Sequence, residues 1–326
     1  MATSRQSAKP RDRQGESTAA FAKQANKLAD IRVARSNGTL GDEVIKLAQS
    51  MIMCTLPYGK TLESEIVREA RLGDGSILTV TFQAIDRSRG ILLPYGADRH
   101  LLAWIFDRAI RSDSPYIAWE SASEYRHEMG LSIGGSGHKQ LAQRFERLSS
   151  MLVKIRRESD LDSGVARANY MIVEKSFLPR SITGREVDPE GQEVLPGLGG
   201  RYGFQLSQGL WEDIKRYHRV LPRQIWRELQ GSSQLQDLVY WLIIRCYEAR
   251  TQTIIPWTAL QAQFPQDKNP RRLRATARQA VRYIHTIWPE VRLWDTPTGL
   301  RVDYCPEPLL PDDVSKGRVR NLKARS

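Results

Sequence analysis

The same order of predicted elements occurs twice in this chain, and that repetition constrains the fold more than any single motif does. Each block opens on a long helix with one apolar face. It continues into a short strand ending in tryptophan, Tyr116-Ile117-Ala118-Trp119 in one and Ile254-Ile255-Pro256-Trp257 in the other. A short helix then starts behind a hydroxyl or acidic cap, at Glu120-Ser121-Ala122-Ser123 and at Thr258. A turn follows, glycine-rich from Gly130 to Gly137 and polar from Pro265 to Pro270, and leads into a long helix. These helices run from Gly137 to about Met151 and from Pro270 to about Ile287. Both blocks end in a hairpin pattern: Leu152–Arg157 with Ala168–Val173, and Val291–Trp294 with Leu300–Tyr304 across Asp295-Thr296-Pro297-Thr298-Gly299. Helix, strand, helix, turn, helix, hairpin is winged-helix order. The expected fold is therefore α+β, with two tandem winged-helix domains, each a helix-turn-helix with a β-hairpin wing.

On this reading the first domain spans 39–178 and the second 201–306. Residues 179–200, rich in Gly and Pro and without periodicity, form a linker or loop. Residues 1–38 hold eight Lys or Arg, three acids and few large apolar side chains, so they read as a disordered basic tail. An alanine-rich stretch from Ala19 to Arg35 permits a short helix there. Residues 307–326 read as a second basic tail.

Charge bounds the partner. The 49 basic and 37 acidic residues leave a net charge of +12, and such an excess points to a polyanion, since counterion release favours binding to nucleic acid. The longest apolar run, Leu238 to Cys246, is interrupted by Arg245 and is too short to span a membrane. A polar, basic N-terminus without an apolar signal core reads as cytoplasmic. Cys54, Cys246 and Cys305 lie far apart and show no metal-ligand spacing, so no metal or other cofactor is expected.

The second long helix has the two faces that a DNA-reading helix needs. Leu273, Ala277, Ala280, Ile284 and Ile287 form an apolar stripe, while Arg271, Arg274, Arg278 and Arg282 align on another face. The stripes lie on the order of 130° apart at helical spacing. From Asn269 to Trp288 there are five arginines and no acid, whereas a solvated surface helix mixes signs to gain i,i+4 pairs. Arg271, Arg272, Arg274, Arg278 and Gln279 are the candidates for base edges, and Arg282 for phosphate. In the first long helix Leu141, Phe145, Leu148 and Leu152 face inward, with Lys139, Gln140, Gln143, Arg144 and Arg147 elsewhere. Glu146 weakens that signal, and a dimerising or purely structural first domain competes with a DNA-reading one. Wing contacts would come from Lys154, Arg156, Arg157 and Arg167, or from Arg292 and Arg301.

The stretch from Leu93 to Arg157 resembles the plasmid-encoded RepA family of replication initiators. The resemblance rests on Pro94-Tyr95-Gly96 leading into Leu101-Leu102-Ala103-Trp104-Ile105, then Glu128-Met129-Gly130-Leu131, and Gly134-Gly135 before the basic helix. It implies an initiator of a broad-host-range plasmid of Gram-negative bacteria, similar to the IncW type. Such a protein binds direct repeats (iterons) in duplex DNA at the origin, promotes melting of an adjacent AT-rich segment, and recruits the host initiator and replicative helicase. It also implies dimers that repress their own gene and monomers that bind iterons. The competing reading is a winged-helix transcriptional repressor or a partition protein of a mobile element.

Enzyme readings find no support. His100, His127, His138, His218 and His285 are scattered, without the HxH pair of a metal-dependent nicking enzyme. Gly59-Lys60-Thr61 resembles the end of a P-loop, but Cys54 stands where the first glycine belongs.

Overall fold

The computed structural model describes residues 26–119, 122–130, 136–159, 164–177, 202–264 and 270–310. Residues 26–36 form the first helix, α1, where the sequence predicts a disordered tail. Ile31 is 1 % exposed within the core, and Lys27 and Arg35 pair with Glu228 and Glu290 at 2.6 and 2.7 Å. Leu28 packs partly buried beside Ile31, so a short amphipathic segment is ordered by the groove that takes these two side chains. At the other end Leu309 and Leu310 are buried, and Leu310 N–H donates to Tyr247 Oη at 2.6 Å. The expected C-terminal tail therefore begins after a docked segment; its remainder, like residues 1–25, lies outside the described residues.

After α1 come β1 (Val44–Ala48), α2 (Gln49–Met53), β2 (Glu65–Arg71) and β3 (Ile77–Ala84). The first repeat unit follows, with α3 (Asp98–Ser112), β4 (Tyr116–Trp119), α4 (Ala122–Glu128) and α5 (Ser136–Ser149). Then come β5 (Met151–Glu158), β6 (Val165–Met171), β7 (Val173–Phe177) and β8 (Tyr202–Leu206). The chain continues through α6 (Gln208–Arg216), β9 (His218–Pro222) and α7 (Arg223–Leu229). The second unit is α8 (Ser233–Glu248), β10 (Thr253–Pro256), α9 (Trp257–Gln263), α10 (Pro270–Ile287), β11 (Leu293–Asp295) and β12 (Gly299–Val302). The architecture is α+β with several small antiparallel sheets.

The repeat is present, but its first hairpin is not the one the sequence pattern selects. Strands β5 and β6 do pair, with Leu152 opposite Met171, yet they extend β2 and β3 into a sheet of order β2-β3-β5-β6. The hairpin that lies beside β4 is β7–β8, in the order β4-β8-β7. The second unit shows the same arrangement, β10-β12-β11. In both, the strand after the long apolar helix pairs with the last strand of the hairpin. Because β8 starts at Tyr202, a domain boundary at 178 and a second domain from 201 separate strands that the sheet joins. Alternation decides this: Val80, Phe82 and Val153 form one buried face of the larger sheet, so β5 is committed to β3.

The two halves are joined by polar contacts as well as by apolar packing. Strand β1 pairs antiparallel with β9, from Val44 opposite Pro222 to Ala48 opposite His218. Beneath them Asp107, fully buried, accepts hydrogen bonds from Lys46 N–H and Arg111 Nε at 2.9 Å each and from Arg223. Arg99 pairs with Asp237 and donates to the carbonyls of Leu56 and Pro57 at 3.0 and 3.2 Å. Buried charges are tolerated only when met in this way.

Candidate nucleic-acid interface

Helix α10 starts at Pro270, whose fixed φ suits the first helical position. Its apolar stripe packs as the spacing predicts, with Leu273, Ala277, Ala280, Ile284 and Ile287 all buried. Arg271, Arg272, Arg274, Ala275, Arg278, Gln279 and Arg282 are exposed on the opposite side. Ala275 lies within that surface, beside the stripe of Arg271, Arg274, Arg278 and Arg282.

The hairpin β11–β12 borders one flank of this face. Arg274 lies over the Trp257 ring at 5.5 Å, and Trp257 Nε1 donates to the carbonyls of Thr296 and Pro297 at the hairpin tip. One turn further along α10, Arg278 Nε donates to Asp295 Oδ2 at 3.0 Å. Arg301 stacks on Trp294 at 4.2 Å, and Trp294, its ladder partner, is 37 % exposed. The hairpin is held tightly against β10: a Cβ at Gly299 would meet the Ile255 carbonyl oxygen at 2.1 Å. Only glycine fits there. On the other flank, Thr276 Oγ1 bonds Gln234 Oε1 of α8 at 3.2 Å and fixes the rotation of the helix.

Helix α5, the counterpart in the first unit, is built differently. Leu141, Phe145 and Leu148 are buried as expected, whereas Leu152 falls beyond the helix, in β5, and is half-buried; Gln140 and Gln143 are exposed. Arg147, however, turns inward. It grips Asp98 at the start of α3 through Nε at 2.6 Å and Nη2 at 2.8 Å, over the Tyr95 ring. Arg144 approaches the same carboxylate at 3.5 Å. The Asp98 side chain is 2 % exposed, and a carboxylate so buried needs cationic partners. Arg147 thus leaves the solvent-facing set. The side chain of Lys139 lies outside the described residues.

Arg156 and Arg157 are neighbours on β5 and so point to opposite faces of its sheet. Arg156 pairs with Glu158, and Arg157 pairs with Asp74 and donates to Ser76 Oγ at 3.1 Å. Lys154 pairs with Glu65 at 3.4 Å, and Arg167 stands opposite Arg156 in the ladder. The structure therefore gathers Arg271, Arg272, Arg274, Arg278, Gln279 and Arg282 on the outer side of α10. It places Arg301 on the adjoining hairpin, beside Trp294 and on the face opposite Asp295, and Arg156 and Arg157 on another element. Sequence reasoning missed Asp295 and Trp294. It read Asp295 as turn chemistry and Trp294 as strand; the hairpin's return to α10 brings Asp295 to Arg278, and the β11–β12 pairing brings Trp294 under Arg301.

Other chemistry is sparse. Among the described residues no group of three His, Cys, Asp or Glu is placed to hold a metal ion, and no helix is long and apolar enough to cross a membrane. Burial pushes the Cys54 and Cys246 thiols up to about 12, which keeps both in the unreactive thiol form.

No protein-family model matches this chain, and no curated protein matches it significantly in sequence. Two solved structures are similar in course. The crystal structure of RctB domains 2-3 (residues 155–483) superposes with a TM-score of 0.47 at 10 % identity, covering 83 % of this chain and all of that one. The selenomethionine derivative of RctB domains 2 and 3 gives the same TM-score and identity over 78 % of this chain and 98 % of that one. A superposition at that level leaves the candidate surface to stand on its own geometry.

Proposed function

We propose that this chain is a non-enzymatic plasmid replication initiator that binds duplex DNA sequence-specifically through α10 and the β11–β12 hairpin. The observation that carries the DNA reading is the outer face of α10, where five arginines are exposed without an acid on the helix, beside a hairpin rigidly joined to it. The helix–strand–helix–helix–hairpin order of both units supports the winged-helix description. In that geometry α10 enters the major groove and the hairpin lies along the backbone. Arg271, Arg274 and Arg278 face base edges, and Arg282 and Arg301 face phosphates.

The initiator role follows from the RepA resemblance. The protein binds iterons at the origin in the cytoplasm, promotes melting, and engages the host initiator and replicative helicase. One observation favours the second reading, a dimeric repressor or partition protein. Of the two long helices that follow the turns, α10 presents its arginines outward, whereas Arg144 and Arg147 of α5 turn to Asp98, so a long site needs either a second copy of the chain or a different use of α5.

A nuclease-protection footprint on the encoding replicon, at physiological salt with competitor DNA, separates the readings. Evenly spaced direct repeats beside an AT-rich stretch are expected. A lone palindrome at a promoter establishes the repressor instead, and no protection at all removes the DNA-binding reading.

A further inference from the structure

We propose that Asp295 is a positioning residue for base specificity: by holding Arg278 it aims that guanidinium at the O6 and N7 of a guanine in the major groove. This rests on the reading of α10 as the DNA-facing helix.

Arg278 donates Nε–H to Asp295 Oδ2 at 3.0 Å, across from helix to hairpin. A guanidinium also has an end-on edge formed by its two Nη atoms, and that fork matches the acceptor pair that guanine shows in the major groove. A bond made at Nε fixes the plane of the fork and leaves the end-on edge directed along the side chain. The two residues are 48 % and 45 % exposed, so the pair lies at the edge of the surface that would meet DNA. Ala275, one turn before on α10, leaves room for the helix to approach the groove floor closely.

A carboxylate at the rim of a surface tuned for phosphate alone would only weaken it, through repulsion of the backbone. A pair so exposed contributes little to stability, so holding the fold together does not account for it. Placed against one particular arginine, Asp295 exchanges some general affinity for direction. It immobilises a side chain that otherwise samples many rotamers, and it disfavours approach of that guanidinium to a phosphate.

The test begins with duplexes selected from a random pool by the full chain. The guanine that Arg278 reads is the position whose preference disappears in R278A. Replacing it with 7-deazaguanine, which lacks N7, is expected to weaken wild-type binding by about tenfold. In D295A and D295N the expected penalty is below about twofold, with binding to unrelated DNA unchanged or tighter and the thermal midpoint unchanged, while D295E recovers part of the discrimination. A full 7-deazaguanine penalty in D295A and D295N overturns the proposal. So does a uniform loss of binding with a lowered melting temperature, which marks a structural role, or a selected site in which no guanine depends on Arg278. A wild-type chain that enriches no sequence at all fails earlier, and that outcome counts against the DNA-reading function itself.

Discussion

Arg147 and Arg278 are both on the long helix that follows the turn of their unit, and their surroundings assign them opposite duties. Arg147 neutralises Asp98, and its removal leaves the buried carboxylate with the Tyr95 N–H at 3.0 Å and, as a cation, Arg144 at 3.5 Å. Arg147→Ala should cost about 3 kcal/mol of stability in denaturant titration while folded protein keeps its affinity for DNA. A binding loss without a stability loss would return Arg147 to the interface. Arg274→Ala and Arg278→Ala should do the reverse, each weakening specific binding by ~1–3 kcal/mol in competition titrations with little change in melting temperature. Unchanged affinity in both would take α10 out of the site.

At the scale of elements the β11–β12 hairpin matters as much as the helix it flanks. Its tip accepts from the Trp257 indole, its strand carries Arg301 on Trp294, and Asp295 reaches Arg278. The joint is Gly299, where a methyl group would collide with the Ile255 carbonyl. Gly299→Ala should therefore separate β12 from β10 and destabilise the second unit by more than about 2 kcal/mol. Hydrogen exchange should quicken in β10, β11 and β12 first, and DNA binding should fall with it. Exchange that stays slow in those strands would show that the backbone yields without losing the ladder.

Across the whole molecule, the joint between halves contains buried polar groups, and one of them should make stability depend on pH. His100 of α3 lies buried against Trp226, its Nε2 3.2 Å from the Gln230 carbonyl. Burial, reinforced by nearby Arg99 and Arg144, lowers its pKa to about 4. The neutral form is thus preferred in the folded state, so lowering pH from about 6.5 to 4 protonates the unfolded chain first and removes stability. The loss from this group alone should be on the order of 3 kcal/mol. His100→Gln should flatten the stability profile over that window, and an unchanged slope would place the sensitivity elsewhere. The net charge of +12 has its own readout. The two phosphate contacts assigned to Arg282 and Arg301 predict a slope of about −2 in log affinity against log salt. A slope near zero would mean that the arginines do not meet a polyanion.

Much of this was legible beforehand because helical periodicity is local. Five inward positions of α10 and its arginine face follow from spacing within 18 residues, and Asp295-Thr296-Pro297-Thr298-Gly299 marks its own turn. The repeated order of elements was legible for the same reason. Local patterns do not record partners that lie far apart in sequence. Strand β8 completes the first unit by pairing with β4 from more than eighty residues away, and β5 abandons that unit for β3 because its apolar face must be buried there. Whether an arginine faces solvent depends on where a carboxylate happens to be, and Asp98 lies 49 residues before Arg147. Sequence alone therefore determined the long helices of both units and the short strands before them, which faces of those helices are apolar, and that the chain is basic. Tertiary structure decided which hairpin closes each unit and which cations remain outside, because burial and ion pairing are settled between elements rather than within them.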